Sequence, residues 1–198
     1  MARRGVVGSA APAFPLPAQT IMIDISYHEA AHAVVAVRLG LIVSEISIQD
    51  SEKYEGHTII GYKCAAEDYL PWIKKDATVD LAGVCVSDNV LDSRTDYEAA
   101  TEKLTFYVLA KCGVISPHDY DCFDGGRISR NCFIDEGFEG AWKHINGPNR
   151  FDKVWRRCES KARNLIKDNH ASITKVAARL VEVRILDGEE LRNILEAA

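Results

Sequence analysis

The stretch His28-Glu29-Ala30-Ala31-His32 opens an apolar, alanine-rich run that continues to Leu39 and stops at Gly40. Its periodicity predicts a helix over residues 24–39, because glycine commonly follows the last residue of a helix. Residues four apart lie on one face of a helix, so both imidazoles can bind the same ion. Small residues between the histidines allow that helix to pack closely against its neighbours.

The same stretch matches the H-E-x-x-H pattern, which predicts a zinc site in a peptidase. Here His28 and His32 are the candidate ligands, and Glu29 lies about 100° round the helix from His28. Zinc lowers the pKa of a bound water to roughly 7. Glu29 can then accept the water's proton as catalytic base and pass it to the leaving amine. Alternatively, Ser26-Tyr27-His28-Glu29 is a capping box, and Glu29 only bonds the backbone at a helix start.

A catalytic zinc needs a third protein ligand. The metzincin pattern requires Gly and His where Val35 and Arg38 stand, so it does not apply. The N-E-x-x-S-D string of thermolysin-like enzymes does not occur. The remaining candidates are His57, Asp80, Asp88, Asp92 and Asp96. Residue chemistry alone does not choose among them.

Hydrophobic periodicity along the rest of the chain predicts an α+β fold that is predominantly α-helical, with a small β-sheet. Two strands are predicted over residues 41–49 and 56–63, and the second is a candidate edge strand. Helices are predicted over residues 69–91, 96–112 and 151–168, then around Ile173 to Val181, and finally in a short helix that Asp187 opens. Residues 1–20 are expected to be a flexible leader and residues 21–198 the domain. Within the domain, residues 117–150 are a long irregular loop and residues 151–198 are C-terminal helices.

Composition narrows the class of protein. The 198 residues carry a formal net charge of −5, and no block of Lys and Arg is dense enough to indicate a phosphate-binding surface. Nucleic acid is therefore not an expected partner. No stretch has the roughly 20 apolar residues of a membrane span. The six cysteines form no C-x-x-C pair and are expected to be reduced thiols in a cytoplasmic protein; a Cys122–Cys132 disulfide across the loop is the alternative.

Four segments resemble the peptidase domain of the FtsH-type zinc metalloproteases, in the same order. His28 to Ala33 resembles the family's H-E-A-G-H-A, and Leu81-Ala82-Gly83 resembles the start of L-G-G-R-A-A-E-E. Residues 95–101 resemble N-D-L-x-x-A-T, and residues 185–191 resemble T-L-D-G-E-E-I. The resemblance extends from His28 to about Leu195. It implies a zincin-like fold with a C-terminal helical bundle.

Carried over to this sequence, the resemblance implies that Zn2+ is bound by His28, His32 and Asp96, with Glu29 as base. The alternative for Asp96 is that it only favours the positive end of a helix capped by Thr95 and Glu98. Family members also bind an extended substrate against an edge strand. The corresponding residues here are Gly56, His57, Thr58, Ile59 and Ile60. A purely structural strand is the alternative.

The sequence departs from the family at several points. Ala31 replaces a glycine, and Val84-Cys85-Val86-Ser87-Asp88 stands where the family has R-A-A-E-E. That change alters a charge network near the site, so it bears on catalytic efficiency more than on metal binding. FtsH-type enzymes carry a membrane anchor and an AAA ATPase, yet no G-x-x-x-x-G-K-[ST] occurs here. We expect a free-standing relative rather than an excised domain.

The leading hypothesis is a zinc endopeptidase that acts on peptides or unfolded protein without its own ATPase. The alternative is a catalytically weak relative that binds peptides or serves as a scaffold subunit. A purely structural zinc is disfavoured, because structural sites use four Cys or His ligands. A homo-oligomer is possible by analogy with the family, and the helices from Phe151 onward are the candidate contacts.

Overall fold

The structure is a computed structural model that describes residues 18–48, 56–61, 69–86, 93–113 and 150–197. The elements in this part of the chain are α1 (Ala18–Arg38), β1 (Ile42–Ile48), β2 (Gly56–Gly61), α2 (Tyr69–Val86), α3 (Ser93–Lys111), α4 (Arg150–Asp168), α5 (His170–Val183), β3 (Ile185–Asp187) and α6 (Gly188–Glu196). Helices predominate, and the three strands form one small antiparallel sheet. The predicted α+β class is confirmed.

Helix α1 lies at the centre of the fold. Its residues from Ala30 to Ala36 are buried on every side, and it packs against α2, α5, β1 and β2. A helix enclosed in this way must be small or apolar all round, which the alanines provide. The helix ends in a Schellman motif: Gly40 has φ of 75°, and the N–H groups of Gly40 and Leu41 donate to the carbonyls of Val37 and Ala36.

Among the described strands the order is β2-β1-β3, so β2 is at the edge of this sheet, as predicted. In the middle of the sheet Ile46 on β1 lies opposite Thr58 on β2 and Leu186 on β3. The pairing of β1 with β2 is irregular between Val43 and Glu45. Alternating positions of β2 differ in burial: Thr58 is half-buried, whereas the residues on either side of it are exposed.

The other helices enclose α1 and the sheet. Helices α2 and α3 pack extensively on each other, α4 packs mainly on α2, and α5 packs mainly on α1. At the start of α6, Asp187 Oδ1 accepts hydrogen bonds from the N–H groups of Glu189 and Glu190 at 2.9 and 2.8 Å. This is the predicted cap. A Cβ on Gly188 would overlap the carbonyl oxygen of Val43, which explains a glycine where α6 meets β1.

Several boundaries differ from the predictions. Helix α1 already includes Ala18, so it overlaps the expected leader of residues 1–20; residues 1–17 lie outside the described chain. Ser26 is therefore in the helix interior, where its hydroxyl donates to the carbonyl of Ile23 at 2.8 Å. The capping-box alternative for Ser26 to Glu29 is wrong for this reason. Strand β3 was not predicted, because three residues are too few for a periodicity to register.

Two further predictions fall on residues that the structure does not describe. These are the irregular loop over residues 117–150, of which only Arg150 is described as the first residue of α4, and the disulfide between Cys122 and Cys132. The described cysteines, Cys85, Cys112 and Cys158, are free thiols. None of the described helices is both long and apolar enough to cross a membrane.

Candidate metal centre

Two helices bring three potential metal ligands together. His28 and His32 project from the same face of α1, and Asp96 comes from the first turn of α3. The Nε2 atoms of the two histidines are 3.0 Å apart. Asp96 Oδ2 lies 3.0 Å from His28 Nε2 and 3.2 Å from His32 Nε2. The three atoms form a nearly equilateral triangle.

This triangle fits a zinc ion. Tetrahedral zinc with bonds of about 2.0–2.1 Å separates its ligand atoms by roughly 3.3 Å. The observed distances are within a few tenths of an ångström of that value, so little movement would be needed on binding. Two imidazoles and a carboxylate are suitable donors for zinc and leave a fourth position for water. Within the described residues, these three side chains are also the group whose ligand atoms lie close enough together to hold one metal ion.

The backbone of α2 orients one of these ligands. His32 Nδ1 lies 2.8 Å from the carbonyl oxygen of Val79. A carbonyl can only accept a hydrogen bond, so Nδ1 carries the proton and donates it. The lone pair of the neutral ring is then on Nε2, which faces His28 and Asp96. Hydrogen bonds of this kind fix the tautomer of histidine ligands in metal sites.

Gly83 leaves the space in which the ligand atoms meet. A Cβ placed on this residue would overlap both Asp96 Oδ2 and His32 Nε2. Any other residue at position 83 would therefore push apart two of the three ligand atoms. Helix propensity does not explain a glycine here, because glycine weakens a helix interior by about 1 kcal/mol relative to alanine. The space that the two ligand atoms need does explain it.

The three side chains interact strongly with one another. Burial lowers the pKa of His32, but its hydrogen bond to Asp96 and the negative charges of Asp96, Glu29 and Asp80 outweigh burial and raise the pKa to about 9. Burial raises the pKa of Asp96, yet its hydrogen bonds to both histidines hold that pKa well below the usual range. In the metal-free protein the His32 ring is therefore doubly protonated at neutral pH. A metal ion must displace the proton on Nε2.

Glu29 is held beside this triangle by β2. The residue is only 6% exposed, and the hydroxyl of Thr58 donates a 2.8 Å hydrogen bond to Glu29 Oε2. A Cβ on Gly56 would come within 2.8 Å of Glu29 Oε1 and 2.6 Å of its Cγ, so the glycine provides room for the carboxylate. The candidate base is thus fixed by the strand that the resemblance associates with substrate.

The other candidate ligands lie elsewhere or are not described. His57 is 3.0 Å from the hydroxyl of Ser47 and faces Glu45 on β1. Asp80 forms a buried ion pair with Lys103, which also pairs with Asp76. Burial raises the pKa of Asp80, and despite the opposing charge of Lys103 it reaches about 6. Asp88 and Asp92 are outside the described residues.

The predicted substrate residues, Gly56 to Ile60, form most of β2. One edge of β2 pairs with β1, and no other described strand pairs with its opposite edge. His57 and Ile59 are exposed, and Ile59 is 46% exposed although it is a large apolar residue. An exposed edge strand with an apolar side chain is a suitable place for an extended peptide to add as a further strand.

Comparison with known proteins does not assign this chain to a family. The chain matches none of the protein-family models, and no curated protein matches it significantly in sequence. The function must therefore be argued from the site itself.

Some residues that shape the site were not predicted from the sequence. The carbonyl of Val79 and the contact of Thr58 with Glu29 join segments 47 and 29 residues apart. The cluster of Lys103, Asp76 and Asp80 likewise depends on how α2 packs against α3. One sequence signal for this cluster was available. Asp76 is a charged residue in a largely apolar helix, and a buried charge is normally paired with an opposite one.

Proposed function

We propose that the protein is a zinc-dependent endopeptidase that hydrolyses peptide bonds in peptides or unfolded protein segments. The observation that carries this proposal is the triangle of His28 Nε2, His32 Nε2 and Asp96 Oδ2, with Glu29 beside it. A structural zinc site would be closed by a fourth Cys or His ligand. Within the described residues the ligand group contains three side chains, which supports an open site with a fourth position for water.

A zinc ion bound here would act as a Lewis acid and make a water molecule acidic enough to be a nucleophile near neutral pH. Glu29 is the residue that would accept the proton of that water and deliver it to the leaving nitrogen of the peptide. The hydroxyl of Thr58 holds one carboxylate oxygen of Glu29. The burial of His28, Glu29 and His32 limits access of bulk water, which strengthens electrostatic interactions in the site.

The substrate would bind in an extended conformation along the edge of β2 that faces away from β1. The backbone of this strand can hydrogen-bond to any peptide, so affinity would depend little on sequence. Gly56 and Thr58 contact Glu29, so a peptide on β2 would lie next to the candidate base. Unfolded segments are the expected substrates, because a folded protein does not offer a free extended backbone.

The resemblance to FtsH-type peptidases belongs to the same proposal. The segments quoted for it supply Gly83, which makes room for the ligand atoms, and Asp96, which contacts both histidines. On this proposal the chain is a zincin-like peptidase domain that works in the cytoplasm. A homo-oligomer with contacts through the C-terminal helices is part of the same analogy.

The second candidate is a catalytically weak relative that binds peptides or acts as a scaffold subunit. One observation favours it: Val84 is half-buried and packs against the core at the position where the family's R-A-A-E-E has its Arg. Ser87 likewise replaces the first Glu of that string, whereas Asp88 stands at the second. If those charges support catalysis in the family, this chain lacks two of them. Metal and peptide binding would be unaffected by that difference.

Metal content and proteolysis of the full chain distinguish the candidates. Elemental analysis should find about one zinc per chain, and His28→Ala, His32→Ala and Asp96→Ala should each reduce it. Glu29→Gln should keep the zinc and abolish cleavage of casein, because the amide cannot accept the proton. Zinc without cleavage of casein or a peptide library would favour the binding candidate. A chain that binds no zinc would contradict both the enzyme and its metal site.

A further inference from the structure

A second concave site lies between the C-terminal end of α1 and helices α2, α3 and α4. This groove is partly open to solvent, has a volume of about 460 Å³ and shares no lining residue with the metal centre. Pockets of roughly 300–1,000 Å³ are the usual size for small-molecule ligands. The volume therefore suits one small ligand.

Among the described residues that line this groove, every charged side chain is positive. They are Lys74, Lys75, Lys111, Arg157 and Lys161. They come from three helices, which explains why the sequence shows no dense basic block. The whole chain has a formal net charge of −5, so this concentration of positive charge opposes the overall composition.

None of the five cations forms an ion pair with another residue in the described ranges. By contrast, Lys103, Arg163 and Arg179 pair with carboxylates at 2.7–3.1 Å. Like charges that converge without counterions repel one another and raise the local concentration of anions. A bound anion would relieve this repulsion.

Helix dipoles account for only part of the cluster. Lys111 is in the last turn of α3, and Lys75 reaches towards Gly40 at the end of α1, where cations are favourable. Lys74 lies within α2, and Arg157 and Lys161 lie within α4, so no helix C-terminus explains them. Helix dipoles therefore do not explain the positions of these three cations.

The groove also has an apolar wall. Leu39, Leu70 and Pro71 line one part of it, together with the ring of Tyr107. Thr78 and Cys158 are almost fully buried in the same lining. A ligand that matches both parts has an anionic group and an apolar or aromatic group.

We propose that this groove binds a small phosphate-bearing organic molecule. The forked guanidinium of Arg157 suits paired phosphate oxygens, and the lysines add positive charge around them. The organic part would lie against Leu39, Leu70 and Tyr107. The negative net charge and the limited volume disfavour a long nucleic acid as the ligand.

The test uses the full chain and two probes, inorganic phosphate and phenyl phosphate, titrated while backbone amide signals are followed by NMR. Both should bind saturably and shift amides of α2 and α4 around the groove. Phenyl phosphate should bind more tightly, since its ring adds apolar contact. Equal affinity would overturn the assignment of an organic ligand. Absence of saturable shifts with either probe would overturn the site altogether.

Matched double variants separate the groove from general electrostatics. Lys74→Gln with Arg157→Gln should weaken phenyl phosphate binding about tenfold or more. Lys175→Gln with Arg192→Gln removes the same charges from exposed positions and should leave affinity within about twofold. Equal loss in both pairs would refute a specific site.

A single-stranded oligonucleotide is the competing ligand class. The adjoining groove along α4 extends the positive surface through Lys153 and Arg156. If an oligonucleotide bound more tightly than phenyl phosphate and lost affinity in Lys153→Gln with Arg156→Gln, the small-molecule proposal would be wrong. If those substitutions leave phenyl phosphate binding unchanged, the groove between α2, α3 and α4 alone accounts for it.

Discussion

The hydroxyl of Thr58 on β2 donates a 2.8 Å hydrogen bond to the carboxylate of Glu29 on α1. This contact joins the edge strand to the residue that follows the first candidate zinc ligand. Glu29 is 6% exposed, so it has little contact with water that could replace the donor. The orientation of the candidate base therefore depends on a strand that is distant in sequence.

Thr58→Val should lower the rate of peptide hydrolysis without removing zinc. Valine has nearly the same shape as threonine but cannot donate a hydrogen bond, so Glu29 loses the contact that fixes its orientation. Loss of such a supporting contact typically costs about 10–100-fold in activity. The measurement is casein or peptide cleavage at saturating substrate, with zinc content determined on the same sample.

Thr58→Ser is the matched control, because serine keeps the hydroxyl and removes only a methyl group. It should retain most of the activity. If the valine and serine variants lose activity equally, the methyl group or the strand matters rather than the hydrogen bond.

Gly83→Ala should impair zinc binding while helix α2 itself is not weakened. The new Cβ overlaps Asp96 Oδ2 and His32 Nε2, so the two ligand atoms must separate. Alanine favours a helix interior over glycine by about 1 kcal/mol, which works in the opposite direction. We expect zinc affinity to fall at least about tenfold, measured by competition with a chelator.

Gly61→Ala serves as the control for that substitution. Its Cβ would meet Ile42 at 3.6 Å, an ordinary van der Waals distance. Zinc affinity should be unchanged. Normal zinc binding by the Gly83→Ala variant would show that α2 does not confine the ligand atoms as closely as its backbone suggests.

Interactions between residues close together in the chain could be predicted from the sequence. Contacts between distant segments could not. The end of α1 at Gly40 and the cap of α6 at Asp187 depend on bonds between neighbours, so both were predictable. The pairing of His28 with His32 follows from helix geometry. Asp96 is 64 residues from His32, and only the family resemblance singled it out among five candidates. The contacts of Val79, Thr58 and Gly83 follow from packing, which leaves no periodic pattern in the sequence.

Zinc affinity should increase with pH. The pKa of His32 in the metal-free protein is about 9, and zinc must displace its proton. Between pH 7 and 8 the apparent Kd should therefore fall about tenfold per pH unit, and the dependence should flatten above pH 9. The measurement is a chelator competition titration at several pH values, corrected for the protonation of the chelator.

The stability of the metal-free protein should change in the opposite direction. The folded pKa of His32 is raised above its ordinary value of 6.5, so its contribution is fully present below pH 6.5 and is lost as pH rises through about 9. Urea unfolding in a chelating buffer should show lower stability at pH 9 than at pH 7. The same decrease in a His32→Asn variant would assign the effect to another group.

Lys103→Met should destabilise the fold strongly. Lys103 Nζ lies 2.7 Å from Asp76 Oδ2 and 2.8 Å from Asp80 Oδ2, and all three side chains are largely buried. Removing the cation leaves two buried carboxylates without a counterion, which typically costs about 3–5 kcal/mol. Urea unfolding measures this loss in free energy. At pH 5 the loss should be smaller than at pH 7, because the pKa of Asp80 is already about 6 and rises further without Lys103.

The triple variant Lys103→Met with Asp76→Asn and Asp80→Asn tests whether charge is the cause. Without charges to bury, it should recover much of the stability lost in the single variant.

The zinc affinity of the same triple variant tests whether the cluster also positions the metal site. Helix α2 supplies Val79 and Gly83 to the site and α3 supplies Asp96, so the ion cluster holds together the two helices that complete it. If the triple variant is stable yet binds zinc more weakly, the cluster positions Asp96. If both properties recover, its role is confined to balancing buried charge.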